Sequence, residues 1–208
     1  DRLPSMIINP DRRYDDRNSP RWNPNYNVRK PNASEIQRQK LVLLFQLTYV
    51  GAPMIYYGDE AGMWGADDPD DRKPMLWADL MYENERSCPL KNCSRPEDRN
   101  VFDDSLSTFY AKLIHERVET DALTLGDYKT RLADNEKKVL VFERRFNTDV
   151  AIVGFNLSDT PQHVSLNVGG VSADFTDILN SQRVRVTDNR LEFEIQAGWG
   201  VLMTNRVK

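Results

Sequence analysis

The feature that most limits what this chain can fold into is a change of hydrophobic period part-way along it. From about residue 123 the apolar residues fall in short alternating or β-branched runs: Val139–Phe142, Val150–Phe155, Val164–Val168, Val184–Val186, Leu191–Ile195 and Gly200–Met203. Such runs place one face of a strand in a core and the other in water. Turn formers separate them at Asn147-Thr-Asp149, Ser158-Asp-Thr-Pro161, Gly169-Gly170 and Asp188-Asn189, so the spacing predicts hairpins. An antiparallel β-sandwich is expected over residues 123–208.

Residues 1–122 carry a different period. Ser34 is placed as the N-cap of a helix over Glu35–Tyr49, with Ile36, Leu43, Leu44 and Leu47 at helical spacing. Gly51-Ala-Pro53 stops it, and Met54-Ile-Tyr-Tyr57 suits a strand buried on both faces. A second helix is expected over Ser107–Glu119, with Phe109, Leu113 and Ile114 on its apolar side. Helix, short turn and buried strand are an α/β signature. Between residues 9 and 34, four X-Pro pairs stand among Asp, Asn and Arg with no apolar period, which is turn chemistry. Loops of that length are usually functional, and Tyr14, Trp22 and Tyr26 need surfaces to pack on, so an ordered lid is expected.

Charge narrows the partners. Lys+Arg 28 against Asp+Glu 32 gives a net charge of -4, so no basic field gathers phosphates and nucleic acid is not an expected partner. No apolar run reaches the roughly 20 residues of a membrane-spanning helix. The opening Asp-Arg-Leu-Pro has neither a basic nor an apolar signal region, so a mature or cleaved terminus is expected. Cys88 and Cys93 are close enough for a small disulfide loop in an oxidising compartment and equally suit free thiols. With no nearby His they do not make a zinc shell. His115 and His163 have no nucleophile or second His beside them and are expected to be surface or helix-packing residues.

The stretch that carries chemistry is Gly51-Ala-Pro-Met-Ile-Tyr-Tyr-Gly58-Asp-Glu60-Ala-Gly62, followed by Asp68-Pro69-Asp-Asp-Arg72-Lys-Pro74-Met-Leu-Trp77. It resembles the eighth barrel strand and following loop of the alpha-amylase family of glycoside hydrolases, and is most similar to the neopullulanase and cyclomaltodextrinase branch. The resemblance implies the C-terminal portion of a (β/α)8 barrel over residues 1–122, followed by the β-sandwich. Asp1-Arg2-Leu3 resembles the residues after the family's seventh-strand His-Asp pair, with Arg2 in the place of an Arg three positions past the catalytic Asp.

Retaining glycosidases need a nucleophilic carboxylate and a carboxylic acid about 5 Å apart. In the family these lie on earlier strands, so the resemblance implies that this chain contains no catalytic residue and is inactive by itself. It places Asp68 and Arg72 where the branch contacts sugar hydroxyls on the non-reducing side of the cleaved bond. The alternative for that pair is a salt bridge that shapes the loop. Trp64 suits stacking on a sugar face or packing. Glu60 is implied to support the barrel end and not to attack the sugar, while Asp67, Asp70 and Asp71 read as solvated loop acids. No cofactor is expected; clustered oxygens could hold calcium, but no motif supports it.

The implied activity of an intact protein is retaining hydrolysis of cyclodextrins, pullulan, maltodextrins or starch. Its partners would be the α-glucan, the remainder of the same barrel and, for the intact enzyme, a second copy in a homodimer. The other class open to the sequence is a non-catalytic scaffold of amylase fold, such as a transporter heavy subunit. The preferred glucan and the compartment stay open.

Overall fold

A computed structural model describes residues 2–11, 19, 22–23, 25–86, 97–171 and 173–206. Asp1, Tyr14, Cys88 and Cys93, and with the cysteines the disulfide question, lie outside the described residues. The elements are α1 (Leu3–Ile8), α2 (Ala33–Thr48), α3 (Asp104–Glu119) and α4 (Asp121–Thr124), then β1 (Asp127–Asp134), β2 (Val139–Phe146), β3 (Asp149–Asn156), β4 (Gln162–Asn167), β5 (Phe175–Asp177), β6 (Gln182–Val184), β7 (Val186–Thr187), β8 (Arg190–Ile195) and β9 (Trp199–Thr204). The chain falls into two compact units, Asp1–Lys40 with Met54–Ala111, and Leu41–Pro53 with Lys112–Lys208.

In the second unit the strands form a six-stranded sheet, β1-β2-β3-β9-β5-β6, and a three-stranded sheet, β4-β8-β7. Every pairing is antiparallel. Val141, Ile152, Val201 and Met203 from the larger sheet share one core with Val164, Leu166, Leu191 and Ile195 from the smaller, so each sheet buries its apolar face against the other. At Gly154 a Cβ would come within 2.7 Å of Ile195 Cδ1 and 2.9 Å of Val201 Cγ2, so any side chain there would have to push these core side chains aside. The β7–β8 hairpin turns through Asp188 and Asn189 at φ +51° and +61°, the left-handed pair that a two-residue turn needs.

Each of the six expected apolar runs meets a strand, although Val168 lies just past β4 and Val184 and Val186 fall on separate strands, β6 and β7. Two strands had no such signal. In β1 most residues are exposed or half-buried, because it lies at the edge of its sheet, and a register irregularity interrupts it between Thr130 and Leu132. β5 is three residues long. His115 and His163 are exposed.

The helices differ in detail from expectation. The N-cap of α2 is Asn32, not Ser34: Asn32 Oδ1 accepts from Glu35 N (3.0 Å) and Glu35 Oε2 accepts from Asn32 N (2.7 Å), a reciprocal capping box. Leu43, Leu44 and Leu47 are buried and Ile36 is half-buried. α3 starts at Asp104 because Asp103 Oδ1 caps Leu106 N (2.9 Å). Its buried stripe is Leu106, Tyr110, Leu113 and Glu116, while Ile114 is exposed.

The first unit corrects one expectation. Met54–Tyr57 is not a strand buried on both faces: it forms no ladder, Met54 is 77% exposed and Tyr57 41%. A strand needs neighbours to take its backbone hydrogen bonds, and among the described residues of this unit the β pairing present is an isolated bridge between Glu85 and Asp98.

Candidate functional site

The loop that follows residues 54–57 is built by glycine-dependent turns. Gly58, at φ +85°, accepts from Ala61 N and Met63 N at 3.1 and 2.9 Å, reversing the chain at once. Arg2, fully buried, fastens this turn to the start of the chain. Its Nη1 donates to Tyr57 O (2.6 Å) and lies 3.5 Å from Asp59 Oδ1, and its guanidinium carbon sits 4.9 Å from the centroids of both Tyr56 and Tyr57. Gly65 N donates to Ser5 Oγ (3.0 Å), a second tie between the same segments.

Burial raises the Asp59 carboxyl to about 7; Arg2 pulls against that shift and Glu60 adds to it. Gln39, also buried, donates through Nε2 to Asp59 O and Tyr110 Oη, each at 3.1 Å. These side chains hold the loop and do not face solvent.

Asp68 and Arg72 behave differently. Asp70 N donates to Asp67 O and Arg72 N to Pro69 O, both at 3.0 Å, after a cis Asp68–Pro69 peptide. The tight turn brings the Arg72 guanidinium onto Asp68, and the two side chains remain 62% and 60% exposed. An exposed pair of this kind adds little to stability. It does present a carboxylate acceptor and unused guanidinium N–H groups side by side, as adjacent sugar hydroxyls require.

Trp64 is placed otherwise. It is 1% exposed, with Lys30 Nζ and Lys73 Nζ over its ring at 5.6 and 5.2 Å from the centroid. A sugar has no open indole face to stack on. Lys73 is ion-paired with Glu85, and burial lowers its pKa. Lys30 Nζ donates to Arg99 O (3.0 Å), its backbone N to Asp98 Oδ2 (2.9 Å), and Arg29 grips Glu35 through two nitrogens. Residues 29–30 of the proline-rich loop are thereby fixed to their surroundings, and Tyr26 packs with Val28 and Ala66. Nothing in sequence pointed to Lys30, which reaches Trp64 across more than thirty positions. Among the described residues no group of three His, Cys, Asp or Glu could hold a metal ion, and no helix is long and apolar enough to cross a membrane.

Comparison with known proteins agrees with this architecture. The family described as "Alpha amylase, C-terminal all-beta domain" matches residues 130–200. Neopullulanase 2 of Thermoactinomyces vulgaris is 31% identical over 169 residues, covering 80% of this chain and 25% of that protein. A cyclomaltodextrinase of Thermoanaerobacter pseudethanolicus is 35% identical over 157 residues, covering 75% of this chain and 23% of that one. The chain thus spans about a quarter of the length of these curated relatives. The solved Anoxybacillus alpha-amylase shares the fold at a TM-score of 0.66 and 21% identity, covering 86% of this chain and 34% of that one. A family match on the sandwich, together with relatives whose similarity takes in most of the chain, means that the chain belongs to the alpha-amylase family of glycoside hydrolases, of which it carries the C-terminal part.

Proposed function

We propose that this chain is the C-terminal part of a retaining α-glucan hydrolase acting on cyclodextrins, pullulan, maltodextrins or starch, with residues 1–122 completing a (β/α)8 barrel. The observation that carries this reading is the Asp68–Arg72 pair, solvent-facing in the loop that follows the Gly51–Gly62 motif. It stands in a chain whose relatives bear the names neopullulanase and cyclomaltodextrinase.

In this reading Asp68 accepts from one sugar hydroxyl and Arg72 donates to its neighbour. The ring is thereby oriented on the non-reducing side of the scissile bond. The bond-breaking carboxylates are assigned to no residue of this chain, and the reaction needs no cofactor. The pair supplies binding that is the same in ground and transition states, so its removal should act on KM.

The test is Arg72→Ala in the intact protein. KM for short maltodextrins should rise about three- to tenfold, the scale of one charge-assisted hydrogen bond in partial solvent, with kcat little changed. An unchanged KM would reduce the pair to a salt bridge that shapes the loop. An intact protein that cleaves no α-glucan at all would favour the non-catalytic scaffold.

A further inference from the structure

Beside α2, within the second unit, lies an apolar cleft of about 480 Å3 whose walls include Val42, Phe45, Leu140, Phe155 and Leu157, with the exposed Lys138 at its edge. Three of those walls meet water: Val42 is 41% exposed, Phe45 40% and Leu157 63%. Single apolar residues at a surface are ordinary, but several gathered in one concave site mark a place of contact. The cleft is also a formed surface, because the Phe45 ring stacks on Tyr49 (centroids 4.8 Å apart) and meets Phe155 edge-on at 6.0 Å.

The walls select the kind of occupant. On the strand side the backbone already has its partners: β2 lies between β1 and β3, β3 between β2 and β9, and Leu157 N donates to Lys138 O (2.9 Å). An added strand would find no ladder to join there, whereas an α-helix closes its own hydrogen bonds and needs only apolar contact. On the helix side, Val42 and Phe45 stand three positions apart, a ridge of the kind on which a neighbouring helix packs. α2 is tied to α3 through other residues, Gln39 Nε2 donating to Tyr110 Oη (3.1 Å) and Arg117 Nη1 to Leu47 O (2.7 Å), so the Val42–Phe45 ridge is left for a second neighbour.

Length supplies the source of that neighbour. The chain spans about a quarter of its curated relatives, and the family that matches it is a C-terminal domain, which puts the remainder of the intact protein before residue 1. In the outer ring of a (β/α)8 barrel each helix stands between two others. We propose that the cleft seats an α-helix from that preceding part, its apolar stripe lying on Val42 and Phe45 on one side and on Leu140, Phe155 and Leu157 of the sandwich on the other. That a preceding helix exists rests on the barrel reading above; that it reaches the sandwich rests on the cleft.

Leu157 and Leu125 are equally exposed in this chain, at 63% and 64%, and Leu125 is not among the residues lining the cleft. In the intact protein, maleimide should therefore label Leu157→Cys at least about tenfold more slowly than Leu125→Cys, because a docked helix must open first. Peptide mass spectrometry reads Cys88 and Cys93 separately. Should Leu157→Cys fail to fold, Val42→Cys reads the facing wall and should be labelled slowly likewise. Benzoylphenylalanine in place of Lys138, irradiated in the intact protein, should cross-link within one molecule to a peptide that precedes Asp1. Equal labelling of the two cysteines, or a cross-link that joins two copies of the protein, overturns the proposal. Hydrolysis is measured separately. A protein that protects residue 157 but cleaves no α-glucan keeps the docked helix and loses the hydrolase; one that cleaves while residue 157 is labelled freely does the reverse.

Discussion

Among single residues, the contact between Arg2 and Asp59 shows how a buried charge can be held without being fully compensated. Asp59 is 6% exposed, and its Oδ1 lies 3.5 Å from the guanidinium, at the outer limit for a hydrogen bond. Desolvation therefore outweighs the ion pair, and the carboxyl titrates near 7, not near its ordinary 3.8. Between those two values the folded protein binds a proton that the unfolded chain releases. Stability from this group is complete at acid pH, below the unfolded value, and is lost as pH rises through about 7, on the order of 4 kcal/mol. Asp59→Asn removes the titration. The melting temperature of the variant minus that of the parent should grow between pH 5 and pH 8; a difference that shrinks over that range would show that the Arg2 charge wins. The sequence singled out Arg2 by its place after a motif, and Asp59 as part of one. That they meet is a fact of tertiary structure separated by 57 positions. Trp64 gives the same lesson: its loop was legible, but the two lysines that cover its ring decide that it cannot stack.

The ends of α2 show how whole elements depend on distant parts of the chain. Its start is legible, since Asn32 and Glu35 have capping-box spacing, although Ser34 competes for the same role. Its end has no basic residue in the last turn. Arg117, from α3, donates to Leu47 O and Gly51 O, both at 2.7 Å. Arg144, from β2, donates to Thr48 O (2.9 Å) and to Gly126 O (2.8 Å). Two guanidiniums thus take the carbonyls that a helix end leaves unpaired, at the negative pole of its dipole. Arg144 is 2% exposed, so its loss strands two buried carbonyls. Arg144→Met should destabilise the protein by about 2–4 kcal/mol in urea unfolding, and Arg144→Lys should recover little, because one ammonium cannot span both acceptors as the planar fork does. Full recovery by lysine would mean that charge alone matters there. Strand legibility follows the same logic. β3 and β8 announce themselves because a face of each is buried, while β1 is an edge whose residues mostly meet water, so no hydrophobic period marks it.

Across the whole molecule, the two units differ in how much of their hydrogen bonding is closed within the described chain. The sandwich closes its own: β3 is flanked by β2 and β9 along its length, and every residue from Val150 to Asn156 is buried. Asn156 pins one end of it, donating to Thr160 O, Ile195 O and Gln196 O at 2.8, 3.0 and 3.2 Å. Residues 54–57 form no ladder, with Met54 and Tyr57 open to solvent. An apolar run of that composition is readable as a strand, yet whether it becomes one depends on a neighbour that a sequence pattern cannot supply. Local opening free energy follows such closure. Hydrogen exchange on the 208-residue chain should therefore find the amides of β2, β3 and β9 protected and those of residues 54–57 exchanging at least about a hundredfold faster. The same residues measured in the intact protein should gain protection approaching that of β3, because a (β/α)8 barrel would place strands on both sides of them. Equal protection of residues 54–57 in the isolated chain and in the intact protein would mean that this segment never joins a sheet, and the barrel assignment for residues 1–122 would fall with it.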